Sequence, residues 1–368
     1  MIQTTLNTPF SDNTLALALS FPTSFKRYVD LSVGRGLQFF VHNPDTPCLL
    51  NDTNPDVIDF YNNSTNPELW EQLEICATNW KLIKEFSDLS ANEIYISFID
   101  YLNGIITQED IQHMVRAIVL MNTDIEKFQP LFDNAFVISH DMFVNALIKA
   151  VVNELTILKS VPGTYKDAEV PSSFTRSIET AFRTGFFNHM QNLINWQNTN
   201  FIDCIDKSRH LAIWYFISRT AKGSKVLYDE NQNLKNQYGG ITCNSIDLFD
   251  ALAFIKSDEV KQLMSRCHCY NNNFTDFLKE HTPKKDDFIF ADLRLANQFS
   301  GSSSDLKLKS YNIQLIEVLS KIDAPWMVLT DIPAHDLQAH PAIHFEQTRL
   351  NNHELTIVKN YKSRVENS

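Results

Sequence analysis

The stretch from Phe25 to Asp52 constrains the fold more than any other part of this chain. Phe25-Lys26-Arg27-Tyr28-Val29-Asp30 reads as a short buried strand. It runs into Val33-Gly34-Arg35-Gly36, a tight turn whose two glycines let a ligand approach the backbone closely. Leu37 to Val41 begins a helix, and Pro47-Cys48-Leu49-Leu50-Asn51 is a second apolar run ending in Asp52. A strand, a glycine turn, a helix and a second strand closed by an acid make up half of a nucleotide-binding βαβ unit. Asp52 stands where an acid accepts hydrogen bonds from ribose hydroxyls; it also stands where a cap for a helix over Asn54–Tyr61 would be.

The period then changes. Pro67–Phe86, Asn92–Leu102, Gln108–Met121, Asp141–Leu158, Ser173–Trp196 and Asp206–Arg219 carry apolar residues at helical spacing. Thr107 and Ser139 read as helix starts. After Tyr238-Gly239-Gly240 the α/β pattern returns. Asp247–Ile255, Asp258–Met264 and Leu315–Ile322 are expected helices; Cys267–Tyr270, Asp287–Asp292, Trp326–Thr330 and Glu354–Val358 are expected strands. The expected fold class is α/β: one Rossmann-like sheet built from 1–65 and 240–368, split by a helical insertion over 66–239.

Charge bounds the partners. Across 368 residues the formal net charge is -12, which argues against strong nonspecific binding to nucleic acid, although it leaves room for a local basic face. Lys207, Arg209, Arg219, Lys222 and Lys225 supply either such a strip or a solvated helix face. Six cysteines are scattered through a chain able to bury a core without disulfides, so reduced thiols and a cytoplasmic location are expected. No metal is expected. Cys267-His268-Cys269 lacks a second cluster at zinc spacing, and His335, His340 and His344 read as surface or turn residues. Leu15–Phe21 is too short to span a bilayer, and no membrane segment is expected.

The run Asn51-Asp52-Thr53-Asn54-Pro55-Asp56-Val57-Ile58-Asp59-Phe60-Tyr61, following Asp30-Leu31-Ser32-Val33-Gly34-Arg35-Gly36, closely resembles the Dam-like DNA adenine-N6 methyltransferases. The resemblance covers nearly the whole chain. It implies an S-adenosyl-L-methionine-dependent methyltransferase core with Asp30, Gly34, Gly36, Asp52 and Asp276 as cofactor-binding residues. Asp276 lies in Asn273-Phe274-Thr275-Asp276-Phe277, similar to the segment that touches the cofactor's adenine. The helical insertion falls where the family places its target-recognition domain.

The family's catalytic element is Asp-Pro-Pro-Tyr. Its Asp and first proline carbonyl accept hydrogen bonds from the adenine amino group, and its Tyr stacks on the extruded base. The matching positions here read Asp292-Leu293-Arg294-Leu295. The acid is kept. The fixed φ of proline and the stacking ring, worth roughly 1–3 kcal/mol per base, are lost. Arg294 adds a cation that either faces the pocket or pairs with Asp292. Pro9-Phe10-Ser11-Asp12-Asn13-Thr14 lacks the family's Gly-Lys pair, and Leu31-Ser32 replaces its Pro-Phe.

These departures lead to the expectation of a catalytically impaired member acting on double-stranded DNA, or on a protein partner through the helical insertion. One alternative is an active methyltransferase with Asp292 as acceptor. The other is a structural or defence-complex protein that keeps only the scaffold.

Overall fold

The structure is a computed structural model of the chain. It describes residues 20–161, 170–199, 205–224, 226–293, 304–330, 332–333, 337, 343–350 and 353–361. The chain divides into two compact units, Met1–Trp70 with Asp250–Ser368, and Glu71–Phe249.

The first unit is mixed α/β. Its seven strands are β1 (Arg27–Asp30), β2 (Cys48–Asn51), β3 (Cys267–Tyr270), β4 (Asp287–Asp292), β5 (Trp326–Thr330), β6 (His344–Leu350) and β7 (His353–Lys359). They lie in the order β3-β2-β1-β4-β5-β7-β6. The first five are parallel, and β7 runs antiparallel to both β5 and β6. Strands β2, β4 and β5 are buried at every position, as expected of parallel strands covered on both faces. Val29, Leu49, Ile289, Ala291, Trp326 and Val328 form one core face with Phe277 and Leu319. The alternate residues Tyr28, Phe288 and Phe290 turn the other way, where Phe21 packs 4.8 Å from the Phe288 ring.

Strand β1 has β2 on one side and β4 on the other, so the strand order reverses beside it. Asp30 pairs in register with Leu50 and with Phe290. Asp52 and Asp292 each lie two residues beyond those partners, so three acids share one edge of the sheet.

Two expectations are corrected here. Pro67–Phe86 and Asn92–Leu102 are parts of one continuous helix, Pro67–Leu102. The linking residues contain neither proline nor glycine, and the Ser87 and Ser90 hydroxyls donate to the Lys84 and Phe86 carbonyls (2.7 and 2.9 Å) without breaking the helix. His344 opens strand β6 and is not a turn residue; His344-Phe345-Glu346-Gln347-Thr348-Arg349-Leu350 is a polar edge strand with no long apolar run to announce it. His335 and His340 lie outside the described residues.

The second unit is helical, built on Gln108–Thr123, His140–Lys159, Ser172–Asn198, Lys207–Thr220 and most of Pro67–Leu102. Thr107 and Asp110 close a capping box, and Ser139 caps the next long helix. A Cβ on Gly185 would sit 2.8 Å from the Leu147 Cα, so two helix backbones meet there. Among the described residues no single helix is long and apolar enough to cross a membrane.

Arg183 is 3% exposed in this core. Its Nε donates to Glu179 (2.8 Å), an Nη donates to the Trp80 carbonyl (3.1 Å), and its guanidinium lies 4.0 Å from the Trp80 ring centroid. Removing one member of a buried pair strands the other's charge. Arg183→Ala is therefore expected to destabilise the helical unit by about 3–5 kcal/mol in urea unfolding, and Arg183→Met with Glu179→Leu to recover much of the loss.

Candidate functional site

Asp30 ends β1 and is 2% exposed. The Tyr28 hydroxyl donates to its Oδ2 (3.0 Å) and the Ser32 amide to its Oδ1 (3.1 Å). Both bonds favour the charged form, but burial outweighs them and pushes the carboxyl up to about 8, with Asp292 and Asp52 adding repulsion. The chain then bends through Gly34 (φ 49°) and Gly36 (φ 68°) into the helix Leu37–His42. Gly36 is fixed by packing as well as by its angle. A Cβ there would collide with the Tyr61 hydroxyl and approach the Phe40 ring to 2.9 Å. The two halves of the sequence motif thus meet at this glycine.

Asp52 joins them a second time. Its Oδ2 accepts from the Gly34 amide (2.9 Å) and its Oδ1 from the Asn54 amide (2.9 Å). Burial raises its carboxyl to about 6 against these backbone bonds. With the Thr53 amide as a third backbone donor, about one acceptor site of the carboxylate is left. The capping role considered for Asp52 belongs instead to Asn54, whose side chain accepts from the Asp56 amide ahead of Pro55–Asn63.

Asn51 was missed by sequence reading. Buried, it donates to the Leu31 and Asn272 carbonyls (3.2 and 2.9 Å) and accepts from the Asn272 amide (3.1 Å). It ties the end of β1 to the loop after β3. That loop leads to the helix Phe274–Glu280, capped by Asn273. Asp276 is on this helix. Its Oδ2 accepts from Asn273 Nδ2 (2.6 Å) and its Oδ1 from Lys279 (3.2 Å), contacts that hold the carboxyl below its usual range.

A second missed residue is Tyr311, on the helix Ser304–Leu319. Its ring meets Phe274 edge to face at 4.8 Å. Burial, and then the charge of Asp52, push its hydroxyl up to about 12. The expected helix begins at Leu315, so Tyr311 lies outside it; the observed helix starts eleven residues earlier, at Ser304, and packs the ring against the core cluster.

Asp292 ends β4 at 6% exposure, and its amide donates to the Ser32 hydroxyl (2.9 Å). Leu293 is 1% exposed within the sheet's core cluster, and its amide donates to the Leu329 carbonyl (2.9 Å). Arg294 and Leu295 lie outside the described residues, as do Pro9–Thr14. In the helical unit Arg209 donates to the Ala135 (2.6 Å) and Phe136 carbonyls, so it is committed to internal packing rather than to an open basic strip; Lys225 lies outside the described residues. Cys267 and Cys269 sit in β3 opposite Cys48 and Leu50 of β2.

Two expectations can be checked in solution. A carboxyl that holds its proton more tightly when folded costs stability as pH rises from its unfolded to its folded pKa. For Asp30 and Asp52 that window runs from about 4 to about 6 for both acids and on to about 8 for Asp30 alone. Unfolding stability should fall across it, and Asp30→Asn should flatten the fall in urea titrations at stepped pH. Leu293→Pro removes an amide donor and a core side chain; it should destabilise the sheet unit by roughly 2–4 kcal/mol in the same assay. No protein-family model matches the chain, and no curated protein matches it.

Proposed function

We propose that this chain is a degenerate Dam-like DNA adenine-N6 methyltransferase. In this reading it keeps an S-adenosyl-L-methionine cradle at its sheet edge and has lost efficient methyl transfer. The observation that carries this reading is the Asp52–Gly34 bond at 2.9 Å, which locks the acid after β2 onto the glycine turn after β1. The pairing lies beside the reversal of strand order, the place where doubly wound sheets bind nucleotides. Asp52 would take a ribose hydroxyl on its remaining acceptor site, and Gly34 would let the cofactor approach the backbone.

Asp292 sits at the end of the neighbouring strand, as an acceptor for an adenine amino group would. The residues beside it favour impaired chemistry. Leu293 directs its side chain into the core, and Leu295 in the sequence offers no ring for a flipped base. The cofactor, when bound, would supply the methyl group. The chain would then serve as a DNA-binding or partner subunit, with the helical unit in the place of a target-recognition domain. Asp292 supports the second reading, an active enzyme with a variant loop.

Isothermal calorimetry with S-adenosyl-L-methionine and S-adenosylhomocysteine tests the cradle. Binding should be measurable and should weaken at least tenfold in Asp52→Ala; absence of binding to the intact protein refutes the cofactor assignment. Genomic DNA from cells with and without the protein should contain equal N6-methyladenine. A protein-dependent gain that disappears in Asp292→Ala would establish the active reading instead.

A further inference from the structure

The helical unit contains a cleft of about 580 Å³ between the helices His140–Lys159 and Ser172–Asn198. The contacts Phe143–His189, Leu147–Gly185 and Glu154–Ser177 run these helices antiparallel. Asn145, Lys149, Asn153 and Ile157 line one side at every fourth position. Thr184, Asn188, Asn192 and Trp196 line the other side at the same interval. The small side chains of Ala146, Ala150 and Ala181 leave the space between the rows open. Asn145 gives its oxygen to Arg116 (2.9 Å); among the described residues the amides of Asn153, Asn188 and Asn192 have no protein partner. Two deeper groups also line the cleft. Gln191 is 9% exposed and accepts from the Asn236 amide (2.8 Å), which leaves its NH2 group to a ligand. His189 is 1% exposed, and its Nε2 donates to the Val137 carbonyl (2.8 Å). Burial pushes that ring down to about 4, so it stays neutral and its Nδ1 keeps a lone pair.

A side-chain amide carries a donor and an acceptor, the same pair that a peptide unit presents. Four residues of helix rise about 6 Å, close to the roughly 6.6 Å that two residues of an extended chain span. Amides at every fourth helix position therefore meet alternate peptide units of an extended strand in step. From Met142 to Ile157 the helix rises about 22 Å, room for about seven extended residues. Met142 and Trp196 make one end of the cleft apolar and Ile157 the other, with the exposed Lys149 between them. That lysine, beside a Glu154 tied to Ser177, is no track for a phosphate backbone. We propose that this cleft binds an extended segment of a partner protein through its peptide backbone, with apolar side chains at both ends of the segment and an acidic one near its middle facing Lys149. The inference concerns the helical unit alone and does not rest on the cofactor cradle.

The test is selection of a random heptapeptide library, displayed on phage, against the full-length protein. Enriched peptides are then made synthetically and titrated by fluorescence anisotropy. They should share apolar ends and a central Asp or Glu. Asn153→Ala with Asn188→Ala changes two exposed positions; it should melt as wild type does and weaken binding about tenfold or more, as two lost hydrogen bonds would. Lys149→Glu should weaken the acidic peptides and spare versions with a central Gln. Methylating alternate backbone nitrogens of a selected peptide should remove its binding. Failure to enrich any peptide overturns the proposal. So does a selected peptide that binds the double variant as tightly as wild type, or one that tolerates the backbone methyl groups. A wild-type dimer in light scattering that the double variant dissolves would assign the cleft to a second copy of the chain, and it too overturns the peptide reading.

Discussion

The bond from the Gly34 amide to the Asp52 carboxylate sets the geometry of the whole sheet edge. Parallel strands share no hairpin, so their carboxyl ends are aligned only by their ladders and by what crosses between the loops beyond them. Here the crossing is dense. Asp52 holds the turn after β1, Asn51 holds both Leu31 and the loop after β3, and the Ser32 hydroxyl accepts from the amide of Asp292 at the end of β4. Four strands, β3, β2, β1 and β4, are thereby linked through side chains at one end.

That arrangement brings acids together in a place that opposes their ionisation. Asp30 and Asp52 lie within a buried neighbourhood, and both hold protons more tightly than free carboxyls do. An amide at 30 could still accept from Ser32 and donate to the Tyr28 hydroxyl, whereas an amide nitrogen at 52 would face a backbone N–H, because both oxygens accept there. Asp30 is nearly sealed, and the Tyr28 hydroxyl and Ser32 amide each donate to one of its oxygens, so it braces the turn. Asp52 is less buried and is held by backbone donors. The Asp-x-x-x-Gly-x-Gly spacing by itself does not contain that difference.

Much of the fold was legible because its strands are short, apolar and bounded by turn residues. Asp287–Asp292 and Trp326–Thr330 carry continuous buried runs, and the glycine turn marks its own bend. Strand β6 was invisible because an edge strand has no duty to be apolar. The candidate site was legible at the turn, where Asp52 and the two glycines meet. It was not legible at Asn51, whose side chain bonds the Asn272 backbone 221 positions away. Long-range polar satisfaction leaves no periodic trace in a sequence.

The position after Asp292 shows how one residue can serve both the ladder and the core. A proline there has no amide hydrogen, so it cannot join the ladder between β4 and β5. Leucine can, and Leu293 extends that pairing by one bond to Leu329 while placing its side chain among Ile289, Ala291 and Val328. Leu293 therefore serves the ladder through its amide and the core through its side chain. Leu293→Pro would remove both at one position, which couples the end of the β4–β5 pairing to the packing of the sheet face.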